Sequence, residues 1–222
     1  MKKIFQKIGD NTNQESLASK MRRSRFTFFL DLLESVPKPI SILDVGGTQI
    51  FWEMMGFTNS EQIRIMLLNL EMPQVDRPNF VGLVGDATNL SAIRDQQFDV
   101  VFSNSVIEHV GDFDQQRRMA SEIRRVGKRY FVQTPNYYFP IEPHYLFPAF
   151  QWLPESVRVG LIRRFDLGHI KRIPDPTEAR KQVRSIRLLK RNELLSLFTD
   201  CNLYEEKILG FIKSFVVYSQ NW

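Results

Sequence analysis

Ile40-Ser41-Ile42-Leu43-Asp44-Val45-Gly46-Gly47-Thr48 reads as a strand, a tight turn and the start of a helix. An apolar run with β-branched residues ends in an acid, two glycines and a small hydroxyl residue. Gln49-Ile50-Phe51-Trp52-Glu53-Met54-Met55 then continues as helix. Gly46 and Gly47 let the backbone bend sharply and leave nothing between the main chain and a ligand. Free N–H groups at the helix start face any carboxylate or phosphate that sits there. Asp44, at the end of the strand with Val45, is expected to set a carboxylate beside a cationic or hydroxyl-bearing group of the same ligand.

The spacing separates two cofactor classes. A dinucleotide fingerprint counted from Gly46 needs glycine where Thr48 and Phe51 stand. The alternative, an acid followed by x-Gly-x-Gly, is the first motif of the class I S-adenosylmethionine-dependent methyltransferases, which Leu43-Asp44-Val45-Gly46-Gly47-Thr48 resembles. Thr48 and Ile50 stand where that family usually carries further glycines. Phe98-Asp99-Val100-Val101 with Ser105-Val106-Ile107-Glu108-His109-Val110 is similar to the fourth motif of the methyltransferase type 11 group, and Thr134-Pro135-Asn136 also resembles it. The likeness covers Ile40 to Asn136 well and Leu188 to Ser219 loosely. It implies an α/β fold with a Rossmann-like doubly wound sheet, mostly parallel with an antiparallel C-terminal strand pair, and helices on both faces. It further implies S-adenosyl-L-methionine as cofactor. Asp86 then accepts from the adenine amino group and the Ala87 backbone donates to the ring.

In chain order, residues 1–14 read as a flexible N-terminus, and 15–222 as one methyltransferase domain. An amphipathic helix is expected over 15–36, with Pro37 and Pro39 stopping it. The run from Ile63 to Glu71 is a buried strand; its polar end puts Asn69, or Glu71 two residues on, where an acid holds ribose hydroxyls in nucleoside-binding folds. Strands follow at Phe80–Ala87 and Phe98–Asn104, with Asn104 and Ser105 expected to line the sulfonium side. A helix over Phe113–Val126 with Gly127 at its C′ position precedes a fifth strand, Lys128–Asn136. From about 137 to 187 an insertion interleaves aromatic residues with prolines, which no single helix tolerates; loops after strands set substrate specificity. Asn192–Leu203 reads as helix, then Tyr204–Leu209 and Phe211–Ser219 as an antiparallel pair split by Gly210.

Among 222 residues the formal charge is +5, concentrated at Glu155–Arg191 (local +7) and Lys2–Arg25 (+5), which leaves −7 on the rest. Such basic segments attract anionic substrate, lipid or nucleic acid, or merely form solvated faces. The aromatic and basic insertion suits a lid, a planar or lipid-like acceptor, or a peripheral membrane contact. No run of about 18 apolar residues occurs and the N-terminus lacks an apolar signal core, so a cytoplasmic location is expected. One cysteine, Cys201, excludes an internal disulfide and a cysteine-based metal site. No His-Cys cluster or His-Glu-x-x-His occurs either, so no metal is expected. Methyl transfer from a sulfonium depends mainly on alignment in a dry pocket, and a base is needed only if the acceptor loses a proton. His109, His144, Glu108 and Glu142 are the candidates, the two histidines foremost; His169 has no distinguishing context. The acceptor expected is an oxygen or carbon of a small molecule, sugar or lipid-linked precursor. The signature Asp/Asn-Pro-Pro-Tyr/Phe, which holds a planar nitrogen of a base, is replaced by Ser103-Asn104-Ser105-Val106, which speaks against methylation of exocyclic amines in nucleic acids. No specific nucleic-acid partner is expected, and the oligomeric state is left unassigned. The rival reading is a non-catalytic or regulatory binding protein that keeps the fold.

Overall fold

The computed structural model describes residues 17–57 and 60–222, with side chains from Ser19 onward, so the expected flexible segment 1–14 lies outside the described residues. Helix α1 covers Leu17–Leu33 among the described residues, ends before the expected boundary at 36, and leads into β1, Ile40–Val45. Next come α2 (Gln49–Met54), β2 (Ile63–Asn69), β3 (Phe80–Val84), β4 (Val100–Asn104), α3 (Phe113–Val126) and β5 (Tyr130–Pro135). The inserted segment holds two short strands, β6 (Ile141–Glu142) and β7 (Phe147–Pro148), with α4 (Glu155–Ile162) and α5 (Pro176–Arg184). The chain finishes with α6 (Arg191–Leu197), β8 (Cys201–Ile208) and β9 (Phe211–Ser219).

The main sheet has the order β3-β2-β1-β4-β5-β9-β8, with β1 to β5 parallel and the last two strands antiparallel. The strand order runs outward from β1 in one direction and from β4 in the other, which makes a topological switch point between β1 and β4, where open α/β sheets bind ligands. Both faces are covered, which is why the central strands are apolar at nearly every position. Ile42, Val100, Phe102 and Phe131 face α1 and Trp52 of α2, while Leu43, Val45, Val101 and Val132 face α3 and α6. A buried ion pair, Arg25 to Glu206 at 2.5 Å, ties α1 to β8.

Local chemistry explains the sharper boundaries. Asp112 Oδ1 accepts from the Gln115 N–H and Gln115 Oε1 accepts from the Asp112 N–H, both at 2.9 Å, a reciprocal cap that starts α3. Gly127 ends that helix in extended conformation, not as a left-handed C′ residue; a Cβ there would meet Val101 Cγ2 at 2.6 Å. The last helix stops at Leu197, six residues short of its expected end, because Cys201 already pairs with Ser219. Leu209 and Gly210 both take positive φ, 51° and 84°, the two-residue turn that matches strand twist in hairpins.

The inserted segment has its own apolar cluster of Tyr145, Phe150, Val159, Ile162, Ala179 and Val183. Its aromatic residues divide: Tyr145 and Phe150 stack at 3.9 Å inside, whereas Tyr138, Trp152 and Phe165 are exposed. Among the described residues no helix is long and apolar enough to cross a membrane.

Candidate functional site

Parallel strands β3, β2, β1 and β4 deliver their carboxyl ends to one edge of the sheet, neighbours being about 4.8 Å apart. Gly46 and Thr48 are exposed there and Gly47 is half-buried. Gly46 has φ +76°, which glycine alone adopts without strain, and a Cβ on it would lie 2.5 Å from Val106 Cγ2. Thr48 caps α2, its hydroxyl accepting from the Phe51 N–H at 3.3 Å. The Asn69 amide donates to the Gly47 carbonyl at 2.8 Å, so it braces the turn while its oxygen stays available. Glu71 is exposed. Asp86 is exposed too, its Oδ1 accepting from the Thr88 N–H and hydroxyl at 2.8 Å, with Ala87 buried behind it.

Two residues of the first strand stand elsewhere than expected. Val45 is packed in the core below the edge. Asp44 is 1% exposed, and Trp52 Nε1–H donates to its Oδ2 at 2.7 Å. Burial pushes this carboxyl up to about 7 against the opposing pull of the indole hydrogen bond. A Cβ on Gly47 would come within 1.6 Å of Asp44 Oδ2, so the carboxyl fills the space under the turn. Asp44 is a pillar of the glycine turn, and the glycines here admit the chain's own Asp44 and Val106.

At the end of β4, Asn104 is half-buried and its Oδ1 has no donor among the described residues. Ser105 takes φ +57°, a costly region for a non-glycine residue, and its hydroxyl donates to Gln133 Oε1 at 2.7 Å. That contact turns Ser105 toward β5. A short 3-10 turn, Ile107–His109, then presents Glu108 and His109. His144, from the inserted segment, brings its Nε2 to 3.1 Å from His109 Nε2, while its Nδ1 lies 2.7 Å from Glu142 Oε1. Glu142 Oε2 also accepts from the N–H groups of His144 and Tyr145, both at 2.7 Å, which fixes the loop that carries the ring. The two histidines are 35 residues apart in sequence and in contact in space.

Burial opposes charge on His144, but the Glu142 hydrogen bond and the Glu142 and Glu108 carboxyls outweigh it and hold its pKa above the usual imidazole value. Desolvation of the inner edge of His109, whose outer edge is exposed, and the charge of His144 lower its pKa. Glu108 is 0% exposed, and burial pushes it up to about 7 despite the hydrogen bond from Thr134 to its Oε2 at 3.0 Å; Oε1 has no donor among the described residues.

Beyond this cluster lies a cavity of about 640 Å³ between the start of α3, the loop after β5 and the inserted segment. Glu142 joins the two features, lining the cavity with Tyr137, Tyr145, Arg158, Arg187 and Lys190. Arg158 Nε is buried with no acceptor among the described residues. Arg187 lies over the Phe113 ring and donates to Gln116 and Glu193. These arginines reach the site only through folding, and the sequence gives no spacing that announces them.

A family profile described as a methyltransferase domain, that of the type 11 group, matches residues 46–130, which hold the glycine turn and the Glu108-His109 pair. Over residues 46–130 the chain is similar to the type 11 methyltransferase group, and its fold is that of the class I methyltransferases. Solved structures similar to it include the carbon methyltransferase CurJ, with TM-score 0.59 and 10% identity over 96% of this chain and 57% of that one. Another is a SAM-dependent methyltransferase of Methanosarcina mazei, with TM-score 0.53 and 14% identity over 85% and 94%. A third is the N-methyltransferase NodS of Bradyrhizobium japonicum, at 0.51 and 12% over 94% and 99%. At such identities the likeness is one of fold. Two uncharacterized proteins of Mycobacterium tuberculosis, one from each of two strains, are 41% identical over 58 residues, 26% of this chain and a fifth (20%) of theirs.

S-adenosylmethionine is the cofactor that such a methyltransferase domain uses. The edge described above fits it chemically. Its ammonium, ribose hydroxyl and amino donors need acceptors, and acceptors stand along one line of strand ends at Asn104 Oδ1, Asn69, Glu71 and Asp86. Its flat base needs apolar contact, and Leu70 and Ile50 stand 76% and 65% exposed beside Asn69 and Thr48. Leu70 was identifiable only as the neighbour of Asn69.

Proposed function

We propose that this chain is an S-adenosylmethionine-dependent methyltransferase acting on an oxygen or carbon of a small molecule, sugar or lipid-linked acceptor that carries an acidic group. The observation that carries the reading is the buried, undonated Asn104 Oδ1 at the end of β4, in line with the polar ends of β2 and β3. When bound, the cofactor supplies a methyl group on a sulfonium, an already activated carbon. Asn69 or Glu71 would hold the ribose and Asp86 with Ala87 the adenine. The inserted segment keeps water out and aligns the acceptor, from which most of the acceleration comes. Arg158 and Lys190 meet its anionic part. Oxygen or carbon is favoured over an exocyclic amine because β4 exits through Ser103-Asn104-Ser105-Val106, with the Ser105 hydroxyl already engaged by Gln133.

Much of the basic segment is neutralised locally, Arg184 by Glu155, Arg187 by Glu193 and Arg191 by Glu205, which supports a small acidic acceptor over a nucleic acid. A peripheral membrane contact through the exposed Trp152 and Phe165 is compatible with a lipid-linked acceptor.

One observation favours the rival, a protein that keeps the fold without the reaction: Val106 and Asp44 already occupy the space beside the two glycines. Calorimetric titration with S-adenosylhomocysteine separates the two, on the wild type, Asn104→Ala and Asp86→Ala. Micromolar binding, about 8 kcal/mol, that weakens in both variants supports the methyltransferase. No binding by the wild type sinks it.

A further inference from the structure

We propose that Glu108, His109 and His144 form a binding site for a divalent first-row metal ion of the zinc class, with Glu142 orienting His144 from behind. His144 Nδ1 is 2.7 Å from Glu142 Oε1, so that nitrogen donates its hydrogen to the carboxylate. In the neutral ring Nε2 is then a bare lone pair, and it faces the Nε2 of His109 at 3.1 Å. Two lone pairs do not meet at that distance unless a proton or a cation lies between them.

The distance itself suits a metal. Two nitrogens each about 2.05 Å from one ion lie roughly 2.9 Å apart at a right angle and roughly 3.4 Å apart at the tetrahedral angle. The observed 3.1 Å falls between these values. Glu108 supplies the third ligand: its ligand oxygen and the two imidazole nitrogens all lie within 4.8 Å of one another. Its Oε1 is buried and has no donor, so it is an acceptor held out of water with nothing to accept from. Closing the set needs the Glu108 carboxyl to move by about 1.5 Å, within reach of a side-chain torsion.

Donor type sets the class of ion. Two imidazoles and a carboxylate with open positions suit Zn²⁺, Co²⁺ or Fe²⁺, whereas Mg²⁺ and Ca²⁺ prefer oxygen-only shells. Glu142 provides the outer carboxylate that fixes the tautomer and direction of a ligating histidine. The remaining positions are left for water or another small oxygen ligand. The site rests on these side chains and stands apart from the methyl-transfer reading.

Full-length protein, stripped with a chelator and dialysed, is titrated with Co²⁺ and, separately, loaded with Zn²⁺, desalted and assayed for metal content. One equivalent of zinc and a visible Co²⁺ band are expected in the wild type and in His169→Ala. His109→Ala, which truncates an exposed ring, loses both, as does His144→Ala. Glu142→Gln weakens binding by about 10- to 100-fold. A shared proton in place of a metal predicts no Co²⁺ band and no retained zinc in the wild type, and that result overturns the site; so does full retention in His109→Ala. S-adenosylhomocysteine titration of the stripped protein separates this from the proposed function. Cofactor binding without metal uptake removes only the metal site, and metal uptake without cofactor binding removes only the methyl-transfer reading.

Discussion

The turn after β1 and the exit of β4 each bury a carboxyl group, and the two groups have opposite fates. Asp44 and Glu108 are 1% and 0% exposed, and burial raises both to about 7. Asp44 is closed in by the Trp52 indole and the Gly47 backbone. Glu108 keeps one oxygen without a donor and faces two histidines. A raised pKa therefore does not distinguish a structural acid from a working one; whether its surroundings already use its oxygens does. Perturbing the β1 turn is expected to change stability, and perturbing the β4 exit to change ligand affinity.

The largest effect tests the sealed side. In Gly47→Ala the new methyl would sit 1.6 Å from Asp44 Oδ2, which forces the carboxyl off Trp52 and leaves a buried indole N–H unpaired. A loss of about 3 kcal/mol or more is expected in chemical denaturation. Asp44→Ala combined with Gly47→Ala recovers part of it, since the clash is gone. Additive losses in the double variant would show that the two residues do not share that space.

Next in size is a pH effect at the same place. The folded state holds the Asp44 proton up to about 7, while the unfolded chain releases it near 4. Stability from this group is therefore fully present below about pH 4 and is lost as pH rises to about 7. Asp44→Asn keeps an acceptor for Trp52 and removes the titration, so its stability relative to wild type rises by a few kcal/mol across that window. Parallel denaturation curves from pH 4.5 to 8 would contradict the burial.

How much of this was legible in the sequence follows from how local each feature is. The strand edge was readable because glycines, apolar runs and polar strand ends are neighbours along the chain; Asn69, Asp86 and Asn104 all reach the expected edge. Asp44 was misread because its partner Trp52 lies one turn into α2, and residue type alone does not say which face of a strand an acid takes. The pairing of His109 with His144 was invisible for a different reason. Metal-ligand motifs are recognised by short spacing, and here a 35-residue gap is closed by β5 and the Glu142 loop. The cavity's arginines were hidden in the same way, within a charge run that reads equally well as a solvated face.

On the open side the expected changes are smaller and fall on binding. Asn104→Ala removes an acceptor that has no donor in the protein, so stability should hold or rise slightly. S-adenosylhomocysteine affinity should fall about tenfold, roughly 1.4 kcal/mol. A stability loss without an affinity change would place Asn104 with Asp44, among the groups the fold itself uses.

The smallest effect belongs to the cavity wall. Arg158 is half-buried with its Nε unpaired, and it lines the cavity beside Glu142 and Lys190. A guanidinium nitrogen held there without an acceptor serves the fold poorly, because a desolvated donor is a cost that packing alone does not return. Its natural partner is an anionic group on the acceptor, which supplies the missing bond on binding. Arg158→Gln should therefore leave the melting temperature nearly unchanged and lower kcat/KM about fivefold, roughly 1 kcal/mol, for acceptors that carry a carboxylate or phosphate. Neutral counterparts of the same acceptors should be unaffected. An equal loss for both would mean that Arg158 shapes the inserted segment and does not read the acceptor's charge, and the contrast between a sealed turn and an open exit would then end at β4.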